Sequence, residues 1–315
     1  MKIIKIVLYQ VFILIVSVFI IEGLIRMINS DMKNYDIEMW RYANELKTQD
    51  PVLGHNHVSD KSAILQGVEI KLNSKGMRSD EYDVNDKKIL FLGSSISLGW
   101  GIENTDSYPQ IIQEKLLSDS LNYLVLNGSI GNYNTFRYVN NFLSNQIDIS
   151  PELIVINYFI NDAETLPIGN PNWLIKNSQL FATLKMTFKK LSSKSEFDLK
   201  SYYRNLYEDE NPSFIEMKKS LNKLSEYSIK TNTKILLTVI PDIHFLEDYP
   251  FETIHEKMKS LSTELGFEYH DLLPSIKEIP FEELQIIPGD SHPNEFGHQR
   301  ISESLYPKIK DIISN

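Results

Sequence analysis

Four polar stretches, far apart along a chain of 315 residues, carry the side chains that could do chemistry: GSSISLGWG (93–101), NGSIGNYN (127–134), INDAE (160–164) and GDSHPNEFGH (289–298). Acyl transfer needs a hydroxyl nucleophile, a base within hydrogen-bond reach, a group that orients the base, and donors aimed at the developing oxyanion. All four kinds are present. Ser95 is the nucleophile of choice, because a serine on the tight turn after an apolar run, at the start of a helix, is exposed. His292 can take its proton, and Asp290, two residues earlier, can hold the other imidazole nitrogen. The backbone N–H groups of Ser95 and Gly131 and the side-chain amide of Asn161 can bind the oxyanion.

Each of these residues taken alone has a plainer role. Ser95 suits a turn or a helix cap, as do Ser94, Ser97 and Ser129. Asn161 and Asp162 suit an Asx turn at a strand end, and His292 before Pro293 suits a helix entry. Their shared position decides for chemistry: every stretch follows an apolar run or opens the last helix, so one rim can collect them all. Other polar residues lack that company. His298 falls inside the last helix and reads as structural. His55 and His57 have no third ligand in sight for a metal. His244 has no apparent partner, and Asp271 reads as a turn residue. Trp100 either lines the acyl pocket or packs in the core.

The apolar runs are the elements that must position these groups. KKILFLG (87–93), NYLVLN (122–127), ELIVINYF (152–159), TKILLTVIP (233–241) and FEYHDLL (267–273) read as five buried strands with helices between them. Strands apolar on both faces and alternating with helices predict an α/β fold, a doubly wound, mainly parallel sheet sandwiched between helices. In such a sheet ligands bind outside the carboxyl ends of the strands, where the polar stretches begin.

The rest of the chain divides around that domain. Residues 1–28 contain an apolar run in which Lys5, Gln10 and Glu22 are the only strongly polar residues from Ile3 to Ile25. At about 1.5 Å per residue the run covers a hydrocarbon core of about 30 Å. Glu22, Leu24, Arg26 and Met27 then follow where a cleavable signal would have small residues, so an uncleaved transmembrane anchor is expected. Lys2 and Lys5 precede the span, which points the body out of the cytoplasm. Residues 29–84 are expected as an extended membrane-proximal segment, 85–315 as the catalytic domain, and 164–212 as a helical or lid-like insertion within it.

Composition removes whole classes of function. With a net charge of −10 and no lysine or arginine cluster, a nucleic-acid partner is not expected. The chain has no cysteine, which excludes disulfide scaffolds, thiol nucleophiles and thiolate metal sites. No cofactor or metal is expected.

The four stretches together resemble the sequence blocks of the SGNH (GDSL-type) hydrolases. FLGSSISLGWG is similar to the first block, whose nucleophile falls on Ser95. NGSIGNYN resembles the second, whose donor glycine falls on Gly131 in preference to the neighbouring register at Asn132. NYFINDAE resembles the third, with its oxyanion asparagine at Asn161, and DSHPNEFGH the last, with its histidine at His292. The match spans roughly residues 85–313 in four ordered blocks and implies the family's fold, a flavodoxin-like, doubly wound parallel sheet of five strands. It departs from the family twice: Ser94 stands where an aspartate is usual, and Asp290 precedes the histidine by two residues instead of three. The anchored arrangement and the NSKGMR segment (73–78) also resemble members associated with bacterial envelope polysaccharides. The resemblance implies a serine esterase, or an acyltransferase, acting on acyl esters of a glycan, acetyl foremost, or on a small ester. Two other readings stand beside it: a glycan-binding scaffold without catalysis, and a phosphate-binding module using the 93–101 turn. The turn lacks a P-loop lysine and the spaced glycines of a dinucleotide site.

Overall fold

The computed structural model describes residues 2–169, 172–192 and 198–314. The apolar amino-terminal run forms one continuous helix, α1 (Lys2–Ile28), none of whose residues is buried. It is long and apolar enough to cross a membrane.

Residues 29–84, expected to be extended, fold instead into a compact subassembly. Helix α2 (Tyr35–Glu45) opens on an N-cap, the Asn34 side chain accepting the Ile37 N–H. Two antiparallel hairpins follow, β1 (Lys47–Asp50) with β2 (Gly54–His57), and β3 (Ser62–Leu65) with β4 (Val68–Lys71). A small second core holds α2 and the second hairpin to the main domain, built from Tyr42, Leu46, Leu65, Ile70, Leu98 and Trp100. Arg78 adds a polar pin. Its buried guanidinium donates to the carbonyls of Glu69, Leu98, Gly99 and Ile102, so the loop after Ser95 is tied to the β3–β4 hairpin.

The domain itself is a five-stranded parallel sheet, as the sequence predicts. Its strands are β5 (Lys88–Leu92), β6 (Leu124–Asn127), β7 (Leu153–Phe159), β8 (Lys234–Ile240) and β9 (Glu268–Asp271), ordered β6-β5-β7-β8-β9. All pairings are parallel. Every residue of β5 and β7 is buried, which is why those strands read as unbroken apolar runs. The chain leaves β5 toward β6 and then returns past β5 to β7. Right-handed crossovers therefore put the helix Tyr108–Ser118 on one face and Thr135–Asn141 on the other. The carboxy-terminal helix Glu295–Ser314 packs against the first of these, and Pro212–Thr231 against the second. The reversal of direction opens a crevice beyond the carboxyl ends of β5, β6 and β7.

The insertion, expected over 164–212, contains the helices Trp173–Asn177, Gln179–Ser192 and Leu199–Leu206; residues 170–171 and 193–197 of that span lie outside the described residues.

Candidate active site

Ser95 is delivered to the crevice by the shortest possible means. β5 ends at Leu92, and Ser95 begins the one-turn helix Ser95–Leu98 after Gly93 and Ser94. A side chain at Gly93 would collide with Ser97 Oγ and come within 3.1 Å of the Asn157 carbonyl, so only glycine fits this turn. Ser95 stays partly exposed while its neighbours are buried.

The Ser95 Oγ lies 2.8 Å from His292 Nε2, although 197 positions separate them. His292 Nδ1 in turn lies 2.6 Å from Asp290 Oδ1. A carboxylate only accepts, so Nδ1 carries the ring proton and Nε2 faces the serine hydroxyl as an acceptor. The two-residue spacing works because Asp290 forms an Asx turn. The same Oδ1 accepts the His292 backbone N–H at 3.2 Å, folding the carboxylate back under its own imidazole. Both side chains are buried. Tyr35, on α2, covers the outer side of the imidazole with ring centroids 5.9 Å apart. Burial and the charge of Asp290 push the Tyr35 phenol up to about 12, so it stays protonated beside the pair.

The donors gather around the same point, with one correction. Asn161 follows β7 on the 3-10 turn Ile160–Ala163, is exposed, lines the cleft, and its amide has no protein partner among the described residues. Asp162 beside it is buried and caps that turn by accepting the Phe159 N–H. Burial raises the Asp162 carboxyl well above the ordinary carboxylate range. Gly131 does not offer its N–H to the cleft. That N–H donates to the buried Tyr42 hydroxyl at 2.9 Å, and a Cβ at Gly131 would stand 2.7 Å from the Tyr42 ring. The next residue, Asn132, lines the cleft with φ +63, so the available backbone donor of this stretch belongs to Asn132.

The cleft has a volume of about 160 Å³. Tyr35 and Met39 from α2 wall it together with Tyr133, Phe159 and the insertion residues Glu164 and Leu166. Trp100 is not part of the wall: it lies in the second core, 1 % exposed, edge-on to Tyr35.

No family model matches the chain, and no curated protein matches it. Solved structures similar to it include TesA, at 15% identity and a TM-score of 0.48 over 72% of this chain and 99% of that one. The psychrotrophic esterase EstA from Pseudoalteromonas sp. is similar at 16% identity and a TM-score of 0.47, over 73% of this chain and 100% of that one. A catalytic mutant of Axe2, an acetylxylan esterase from Geobacillus stearothermophilus, is similar at 17% identity and a TM-score of 0.47, over 71% and 94%. Likenesses this distant carry no argument about what the chain does.

Several residues near the rim escaped the sequence reading. Tyr42 sits at the centre of a buried relay. It accepts from Gly131 and donates to His57 Nε2 at 2.6 Å, while His57 Nδ1 donates to the Gly76 carbonyl at 2.8 Å. Burial lowers the His57 ring to about 3, so it stays neutral as this relay requires. Lys47 Nζ and His55 Nε2 lie 2.6 and 3.2 Å from the Gly131 carbonyl. His244, thought to lack a partner, pairs with Asp242 at 2.8 Å, the same two-residue spacing as Asp290 and His292. Its Nε2 reaches the Gly289 carbonyl at 3.3 Å and so braces the turn that carries Asp290. His298 is structural: its Nδ1 accepts the Tyr108 N–H at 3.1 Å.

Proposed function

We propose that the chain is a membrane-anchored serine hydrolase of the SGNH type that removes small acyl groups, acetyl foremost, from a glycan of the cell envelope. The observation that carries the reading is the continuous Ser95–His292–Asp290 chain, with contacts of 2.8 and 2.6 Å, opening on a cleft that Asn132 and Asn161 also line. In this reading Ser95 Oγ attacks the ester carbonyl as His292 Nε2 takes its proton, and Asp290 stabilises the imidazolium. The N–H groups of Ser95 and Asn132 and the Asn161 amide bind the oxyanion. His292 then protonates the leaving sugar oxygen, an acyl-Ser95 remains, and water activated by His292 releases the acid. A sugar hydroxyl in place of that water gives transfer by the same residues.

The small cleft supports a short acyl group. The uncovered α1 supports an anchor, with Lys2 and Lys5 on its cytoplasmic side and the domain outside. The envelope glycan follows from the sequence resemblance and from this location.

The test is labelling of the full chain in detergent with a fluorophosphonate, together with hydrolysis of an acetyl ester. We expect both to vanish in Ser95→Ala, and turnover to fall by a thousandfold or more, on the order seen for such bases, in His292→Ala. Wild-type protein that neither labels nor hydrolyses would overturn the reading in favour of a glycan-binding scaffold.

A further inference from the structure

The insertion carries a surface that ester chemistry does not use. Residues 173–192 read WLIKNSQLFATLKMTFKKLS, with four lysines and no carboxylate in a chain whose net charge is −10. On the helix Gln179–Ser192, Leu184, Phe188 and Leu191 recur at i, i+4 and i+7, which places them on one face. They are 44, 72 and 61 % exposed, and Trp173 just before the helix is 73 % exposed. Single exposed apolar residues are ordinary, but an aligned set of large ones marks a surface that something covers.

The amino end of that helix is joined directly to α1. Glu22 on α1 accepts the N–H groups of Gln179 and Leu180, at 3.1 and 2.9 Å, and the Ser178 hydroxyl at 2.7 Å. It therefore caps the insertion helix from another element, where a carboxylate is favoured by the helix dipole. Arg26 reinforces the joint by donating to the Asn177 carbonyl, and Asn29 by donating to Gln179. Glu22 and Arg26 stand where the apolar run of α1 ends, so the amino end of the insertion helix is held at the height where α1 would leave the hydrocarbon core, while Lys190 near its carboxyl end pairs with Asp36 on α2. A helix with aromatic and aliphatic residues on one face and lysines beside them, at that height, has the composition of an interfacial element.

We propose that this face is a docking surface for an anionic lipid bilayer. Trp173, Leu184, Phe188 and Leu191 enter the boundary between headgroups and acyl chains, while Lys176 and Lys185 meet anionic headgroups. The inference rests on reading α1 as a membrane anchor. Continuity with α1 selects lipid as the occupant, because a bilayer that surrounds α1 already reaches Glu22 and the capped helix. Leu166 and Glu164, at the start of the same insertion, wall the cleft. Docking thus sets the mouth of the cleft at a fixed height above the membrane and favours esters presented close to it.

The test uses the full chain reconstituted into phosphatidylcholine and phosphatidylglycerol vesicles, with and without bromines on the acyl chains. The protein has three tryptophans, of which Trp100 is buried in the second core and Trp40 is hydrogen-bonded to Ile175, leaving Trp173 outermost. We expect bromolipid to quench a share of the emission that disappears in Trp173→Phe. We also expect the quenching to fall at least threefold in Phe188→Glu with Leu191→Glu, in protein that still floats with the vesicles and still labels with fluorophosphonate. Equal quenching in wild type and Trp173→Phe, with Trp173 open to aqueous acrylamide, would overturn the proposal. So would a Trp173 shielded from acrylamide and bromines alike, which would assign the face to a second copy of the chain. Flotation separates the two readings: protein that floats without quenching refutes the docking alone, and protein that fails to float refutes the anchor with it.

Discussion

The Lys47 Nζ donates to the Gly131 carbonyl oxygen at 2.6 Å, and that carbonyl shares a peptide unit with the Asn132 N–H. A donor on the oxygen of an amide polarises it and strengthens the N–H on its far side. The preceding peptide is held just as firmly, by the bond from Gly131 N–H to Tyr42. Both clamps come from residues that precede the sheet, on α2 and β1. The loop after β6, which carries the proposed oxyanion donor, is therefore oriented by the amino-terminal subassembly, with His57 and Gly76 backing Tyr42 from behind.

Lys47→Met keeps the length of the side chain and removes the donor. We expect kcat for an acetyl ester to fall roughly five- to thirtyfold, the equivalent of one hydrogen bond of about 1–2 kcal/mol. KM should change little, because the ground-state carbonyl needs the loop less than the oxyanion does. Steady-state kinetics beside a thermal melt would check this; an unchanged kcat would reduce Lys47 to a packing residue.

Gly131 and Asn132 can be told apart by a pair of substitutions. Gly131→Ala drives a methyl to 2.7 Å from the Tyr42 ring, so both stability and turnover should drop, the former by about 1–3 kcal/mol. Asn132→Gly keeps the backbone N–H and relieves a φ of +63, and should hold kcat within a few-fold of wild type. An inactive Asn132→Gly protein would mean that the side chain, and not the main chain, does the work there.

The parts of this molecule that were legible in its sequence are those governed by burial and by chain order. KKILFLG and ELIVINYF read as strands because both faces are covered, and Ser95 and Asn161 could be placed on one rim because each follows a strand end, with His292 approaching it just before the last helix. α2 was not legible. Its sequence, YDIEMWRYANE, mixes acids and an arginine into the face that packs, and the buried Glu38 is paired with Arg41 and with the Gln66 N–H in ways no periodicity reveals. The four-residue strands of the two hairpins were too short to show alternation. Nor could the sequence show that the Gly131 N–H is spoken for by Tyr42, a residue 89 positions away whose role only tertiary structure discloses. The Asp290 spacing looked irregular in sequence and is accounted for by the Asx turn.

Asn161→Ala removes an amide that makes no hydrogen bond to the protein among the described residues. We expect a loss of about a hundredfold to a thousandfold in kcat, typical of one oxyanion donor. The melting temperature should stay where it is, since an exposed side chain without protein partners has little to contribute to folding. A fall in stability comparable to the fall in rate would place Asn161 in the scaffold instead of the chemistry.

Asp162 gives the clearest pH test, because its carboxyl is raised by burial rather than lowered by a partner. A carboxyl with a folded pKa above its unfolded value of about 3.9 binds its proton more tightly in the native state. Its favourable contribution is complete below that unfolded value and is lost as pH rises toward the folded one. Asp162→Asn keeps an oxygen able to accept the Phe159 N–H and cannot ionise. Near pH 4 the variant should melt close to wild type, and its advantage should widen as the pH rises from there toward the folded pKa. Thermal melts across that range would decide the matter: an advantage that is constant or shrinks with pH would show that Asp162 is ionised in the folded protein.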